Sequence, residues 1–161
     1  MSAESIVKLT PHEVIMAAGV GIRRQVSALA ANRRDRHGLN PEDGWRVHIE
    51  GANGELAVAK YLGKYWDGSV DTFKSLPDLG NVEIRTRSRH TYDLIIRTDD
   101  DPAKFYILVT GIAPNYRVRG WIKGENARRD EWLQTHGGRE AAWFVPADAL
   151  TPINREKESH Q

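Results

Sequence analysis

The hydrophobic period of this chain changes once, and that change limits the fold more than any single residue does. Up to about residue 63 the apolar residues recur at helical spacing; from Val70 onward they form short β-branched or aromatic runs separated by turn-rich segments. Two helices followed by several strands predict an α+β domain with a mixed or mainly antiparallel sheet. With 161 residues the chain is large enough for a real hydrophobic core. One domain is expected over residues 1–153, with a charged, frayed tail over 154–161.

The helical half has clear punctuation. Thr10 reads as an N-cap, Pro11 as the first helical residue and Glu13 as a first-turn acid, so a helix should run from Pro11 to about Arg33. Val14, Ile15, Ala18, Ile22, Val26 and Leu29 recur along it at helical spacing. A polar loop, RRDRHGLNPED, then leads to a second helix from Gly44 to Leu62, with Asp43 as N-cap and Gly63 as stop. Gly51 and Gly54 lie inside it, each costing on the order of 1 kcal/mol against alanine. Such glycines make sense where a backbone must approach a sheet closely.

Strands are expected at Val70–Phe73, Val82–Arg87, Asp93–Arg97, Phe105–Thr110 and Tyr116–Ile122. TDDDPAK reads as a hairpin loop, Glu125–Gln134 as a short helix and Ala141–Val145 as a late strand ended by Pro146.

Composition narrows the function classes. No apolar run approaches the ~20 residues of a membrane span, and MSAESIVKLT lacks the features of a signal peptide. There is no cysteine, hence no thiolate metal site or thiol nucleophile, and an intracellular, cytoplasmic location is expected. Net charge is only +1, yet arginines cluster locally: Arg85, Arg87, Arg89 and Arg97 form one group, and Arg117, Arg119, Lys123, Arg128 and Arg129 a second. Such patches can bind phosphate without a high overall pI.

The first basic group sits in LPDLGNVEIRTR, residues 76–87. On a strand Glu83, Arg85 and Arg87 share one face, while Val82, Ile84 and Thr86 share the other. Asp78 enters from the preceding turn, and Gly80-Asn81 lets the chain bend so that Asp78 and Glu83 converge. Glu55, on the second helix, is a third candidate acid. Hard divalent cations such as Mg²⁺ take one or two carboxylates plus waters and substrate phosphate. The plain alternatives are a solvated Glu55, a turn-forming Asp78, and an ordinary Glu83 ion pair with Arg85 or Arg97. His48, His90 and His136 are too scattered for a metal cluster, and Asp99, Asp100 and Asp101 read as loop. Trp121 is expected in the core, with a base-stacking platform beside Lys123 and Arg119 as the alternative.

Gly54-Glu55 on a helix, then Pro77-Asp78, then Glu83-Ile84-Arg85 on a strand resembles the PD-(D/E)XK nuclease superfamily, over roughly residues 44–122. It is also similar to small phage- and prophage-encoded members of that superfamily. The resemblance implies a restriction-endonuclease-like core, a mixed sheet of about four to five strands flanked by helices. It implies Mg²⁺ or Mn²⁺ held by Asp78 and Glu83 with Glu55 completing the site. DNA would be the substrate, and a dimer is compatible. Arg85 would then contact the scissile phosphate, while Arg87, Arg89, Arg117, Arg119 and Lys123 follow the nucleic-acid backbone. Two departures stand out: only four residues separate Asp78 from Glu83, and Arg85 occupies the lysine position. Arginine cannot lose its proton, so it cannot act as a base. Lys74 or Lys104 could supply the amine, or the chain could be an impaired module that binds nucleic acid or another protein without turnover.

Overall fold

The computed structural model describes residues 5–31, 43–68 and 81–153. The expected strand Val70–Phe73, Asp78 and Lys74 lie outside these residues.

The first helix, α1, runs Pro11–Ala30 and opens on a complete capping box. Thr10 Oγ1 accepts from the Glu13 amide at 3.2 Å, and Glu13 Oε1 accepts from the Thr10 amide at 2.8 Å. The second, α2, runs Gly44–Leu62 and stops at Gly63, whose φ of 66° is the left-handed conformation glycine adopts without cost. Asp43 precedes it without a side-chain capping bond. The strands are β1 (Ile6–Lys8), β2 (Val82–Arg87), β3 (Leu94–Arg97), β4 (Phe105–Ile112), β5 (Asn115–Lys123), β6 (Leu133–Gln134) and β7 (Ala142–Val145). Strand β1 has three residues, too few for an alternation to be read.

The fold is α+β with a mixed sheet, as expected. Four strands pair in the order β1-β5-β4-β2, with β2 parallel to β4 and the other pairs antiparallel. Strands β3, β7 and β6 form a separate antiparallel sheet. TDDDPAK therefore carries the chain from one sheet to the other and is not a hairpin loop. The expected helix at Glu125–Gln134 is broken: α3 covers Gly124–Ala127, a 3-10 turn covers Asp130–Trp132, and Leu133 and Gln134 pair with Trp143 and Ala142. Burial of Ala127 and packing of Trp132 in the second core decide that path over helical continuation.

Alternation on the strands builds two cores, one on each face of the four-stranded sheet. Ile107 and Val109 of β4, with Val82 and Ile84 of β2, meet the small residues of α2, chiefly Ala52, Ala57, Val58 and Ala59. Tyr106 and Leu108 face the other way, onto Leu94, Ile96 and Val145 of the second sheet. A bulge between Leu108 and Val109 shifts the register against β5, where Leu108 pairs with Gly120 and Val109 with Val118. The extra residue is Arg119. It lets Tyr116 and Val118 face the helices while Ile122 faces the second sheet.

Helix α2 lies directly on the sheet. A Cβ on Gly54 would overlap the Thr86 hydroxyl, which is the close approach the sequence implied. Gly51 has open space around its Cα, so that reason does not apply to it. Helix α1 crosses α2 at Gly21, where a Cβ would come 2.5 Å from the Ile49 Cα. Ala17, Gly21 and Gln25 form its buried side. An apolar helical stripe ordinarily faces a core. Ile15, Ile22, Val26 and Leu29 instead are exposed, because α2 separates α1 from the sheet and needs only its small-residue side.

Candidate active site

Strand β2 is the frame of the site. At its start, Glu83 Oε1 accepts from Arg85 Nη2 at 3.0 Å, and Glu83 Oε2 lies 3.7 Å from the Lys104 ammonium. The same Arg85 Nη2 donates to Asp100 Oδ1 at 2.7 Å, and its Nη1 donates to the Ile95 carbonyl at 3.3 Å. The guanidinium also stands 4.9 Å over the Tyr106 ring. Burial opposes the charge on Arg85, but the Asp100 hydrogen bond and the Glu83 and Asp100 charges outweigh it and raise its pKa further. Asp100 is itself fixed, since its Oδ2 accepts from the Arg97 amide at 2.6 Å and its carbonyl from Arg128 Nη2.

Tyr106 closes the base of this cluster. Burial, then the Asp100 and Glu83 carboxylates, push its phenol up to about 12, so it stays protonated and donates to the Asp101 carbonyl at 3.1 Å.

Glu83 and Glu55 are not brought together. Glu55 sits in the helix layer, where its oxygens accept from Arg24 Nη1 and Nη2 at 3.0 and 2.9 Å and from the Trp66 indole at 3.2 Å. Trp66 belongs to the core under α2, whereas Arg85 and Tyr106 face the second sheet. The four-stranded sheet thus separates the two acids. The third-acid assignment of Glu55 has no geometric support, because a bidentate guanidinium already satisfies that carboxylate. Gly54 and Glu55 are adjacent in sequence, but Gly54 abuts Thr86 of β2 while Glu55 turns to Arg24 and Trp66.

Among the described residues no three His, Asp or Glu side chains group to hold a metal ion. The donor chemistry still separates the candidates. Both Glu55 oxygens and both Asp100 oxygens are committed to internal donors, while the Glu83 side chain is 41% exposed. Glu83 therefore fits one carboxylate ligand of a hydrated hard cation. Asp78, five residues earlier, falls outside the described residues.

The basic residues divide between the two ends of β2. At its C-terminal end, the Arg119 bulge carries Arg119 onto the face of Thr110, which pairs with Arg87. Arg119 donates to the His90 carbonyl at 2.8 Å, and His90 Nδ1 lies 2.8 Å from the Thr110 hydroxyl. Arg87 stacks on Tyr92 with 4.5 Å from guanidinium carbon to ring centroid, and Arg89 approaches the same ring at 5.7 Å. Burial, countered by Tyr92 and Asp93 and reinforced by Arg97, lowers the Arg87 pKa, yet an arginine remains cationic at neutral pH. Arg117 pairs with Thr110 in the ladder at this end. Lys123 belongs to the opposite end, over Phe105 and beside Glu125 at 3.1 Å. Trp121 packs edge-to-face on Phe105 at 5.3 Å, so the base-stacking alternative for it loses to packing.

Sequence reasoning missed Asp100 as a site residue. Three consecutive aspartates before a proline read as loop, and nothing local singles out the one that returns to Arg85. Tyr92 was equally silent. Comparisons of the chain with protein-family models, with curated proteins and with solved structures found no match.

Proposed function

We propose that this chain hydrolyses phosphodiester bonds in DNA with the help of a bound divalent cation, at the N-terminal end of β2. The observation that carries the reading is the Glu83 carboxylate, half-exposed and set between Lys104 and the clamped Arg85. Glu83 and Asp78 would hold Mg²⁺ or Mn²⁺, and the ion would lower the pKa of a bound water and offset charge on the phosphate. Glu55 has no part in this reading beyond holding α1 against α2.

The roles of the two cations differ from what the motif alone suggests. Arg85 gives three of its five N–H donors to Glu83, Asp100 and the Ile95 carbonyl, so it acts first as a positioning residue for Glu83. Lys104 is the adjacent amine with a flexible stem, suited to orienting a water or meeting a phosphate oxygen. DNA would run along β2 toward Arg87, Arg89, Arg117 and Arg119, whose contacts give affinity without sequence reading. Digestion of single-stranded, duplex and branched DNA with Mn²⁺ tests this. Cleavage abolished by Asp78→Ala and by Glu83→Gln supports it; no cleavage of any substrate, or cleavage unchanged by both variants, overturns it.

A second reading rests on Arg85 itself. A guanidinium held between two carboxylates in the lysine position suits a module that binds nucleic acid without turnover. Salt-sensitive DNA binding with no Mn²⁺-dependent cleavage would favour it.

A further inference from the structure

Helix α1 carries on its outer side an apolar stripe that neither core uses. Ile15, Ile22, Val26 and Leu29 are 69%, 44%, 51% and 57% exposed, and Met16 beside them is 49% exposed. With Gly19, around which the Cβ position is open, the stripe follows the spacing 15, 19, 22, 26, 29, alternating steps of four and three. That is the seam along which one helix meets another, and a glycine in it admits close approach. We propose that this face is the interface between two copies of the chain, with their α1 helices packed antiparallel about a two-fold axis near Ile22.

Three observations select a second copy over other occupants. The first is charge. The acid of α1, Glu13, turns to Lys60, and Arg24 turns to Glu55, so among the described residues of α1 Arg23 is the exposed ion flanking the seam. Arg23 can keep its head in water while its stem lies along the interface. Burying this face therefore strands no carboxylate, and a chain of net charge +1 does not repel its copy. A helix that lies on lipid would instead flank its apolar face with several Lys or Arg.

The second is self-complementarity. Ile22 is the midpoint of the stripe, so an antiparallel pair centred there overlaps the whole seam. Ile15 then meets Leu29 of the second copy, and the small Ala18 comes opposite Val26. The third is area. The five exposed side chains present roughly 300–400 Å² of apolar surface per copy. With the stems of Arg23 and Ser27 the face stays below the ~800 Å² per partner of a standard specific dimer, so the association is expected at the weak end of that class.

Sedimentation velocity on the full chain, from low micromolar to near-millimolar concentration, tests this. The wild type is expected to shift from an 18.2 kDa monomer toward a dimer, and Ile22→Arg to weaken dimerisation more than tenfold with an unchanged melting temperature. Should Ile22→Arg misfold, Val26→Lys on the same exposed seam takes its place. Because the chain has no cysteine, Ile22→Cys supplies a unique thiol and should cross-link two copies under mild oxidation, whereas Ile15→Cys should not. A wild type that stays monomeric throughout overturns the proposal, as does dimerisation unaffected by the charged variants. A monomer whose melting temperature falls with Ile22→Arg overturns it too, since the stripe would then be packed within one chain.

Discussion

The two carboxylate–guanidinium pairs of this protein look alike on paper and differ in what surrounds them. Glu55 and Arg24 are joined by two hydrogen bonds, with side chains 18% and 12% exposed and an indole donor completing the set. Glu83 shares a single oxygen with Arg85, is more than twice as exposed, and has a lysine on its free side. The first pair is closed: its charges cancel and both carboxylate oxygens are taken. The second is open on one side. A closed pair is suited to holding helices together and an open one to meeting a ligand, although both acids sit in motifs that read as catalytic.

Breaking the closed pair should have the largest effect on stability. Glu55→Ala removes two hydrogen bonds from the largely buried Arg24 and should cost about 2–4 kcal/mol, lowering the melting temperature by roughly 5–12 °C. Thermal denaturation checks it; a change near zero would show that the closed pair holds nothing. Next comes the contact beside it. Gly54→Ala drives a methyl into Thr86 and should cost about 1–3 kcal/mol. Adding Thr86→Ala should recover part of that loss, which a double-mutant cycle in urea would measure.

Breaking the open pair should hardly move stability. Glu83→Gln removes a half-exposed ion pair worth about 0–1 kcal/mol, so a melting curve close to wild type is expected. Cleavage, in contrast, should vanish. A large destabilisation would place Glu83 with Glu55 as a structural acid.

The smallest effect concerns pH. Burial works against the Glu13 charge, but the Lys60 and Thr10 hydrogen bonds outweigh it and hold this carboxyl below the ordinary glutamate value. A depressed folded-state pKa means stability that is present above the unfolded value of about 4.3 and lost as pH falls through the lowered one. Glu13→Gln should therefore flatten the fall in stability between about pH 5 and pH 3. An unchanged slope would remove Glu13 from the account.

Much of the fold was legible because its signals are local. The capping residues Thr10 and Glu13, the stop at Gly63 and the alternation in VEIRTR need no distant partner to act. What was hidden depends on contacts far along the chain. Which of two apolar faces of α1 is buried is decided by α2, and the same residues read equally well either way. Strand β3 pairs with β7, almost fifty residues later, so TDDDPAK looks like a hairpin loop until that partner is known. In the site, strand periodicity put Glu83, Arg85 and Arg87 on one face. Nothing local revealed that Asp100 returns to clamp Arg85, or that Arg24 reaches Glu55 across 31 positions.

The central claim is that the open acid and not the closed one meets the cation. Mn²⁺ binding followed by titration calorimetry on folded wild type, Glu83→Gln and Glu55→Gln tests it most directly. The account predicts that Glu83→Gln abolishes binding while Glu55→Gln, though less stable, retains wild-type affinity. Binding lost with Glu55→Gln and kept with Glu83→Gln would contradict it.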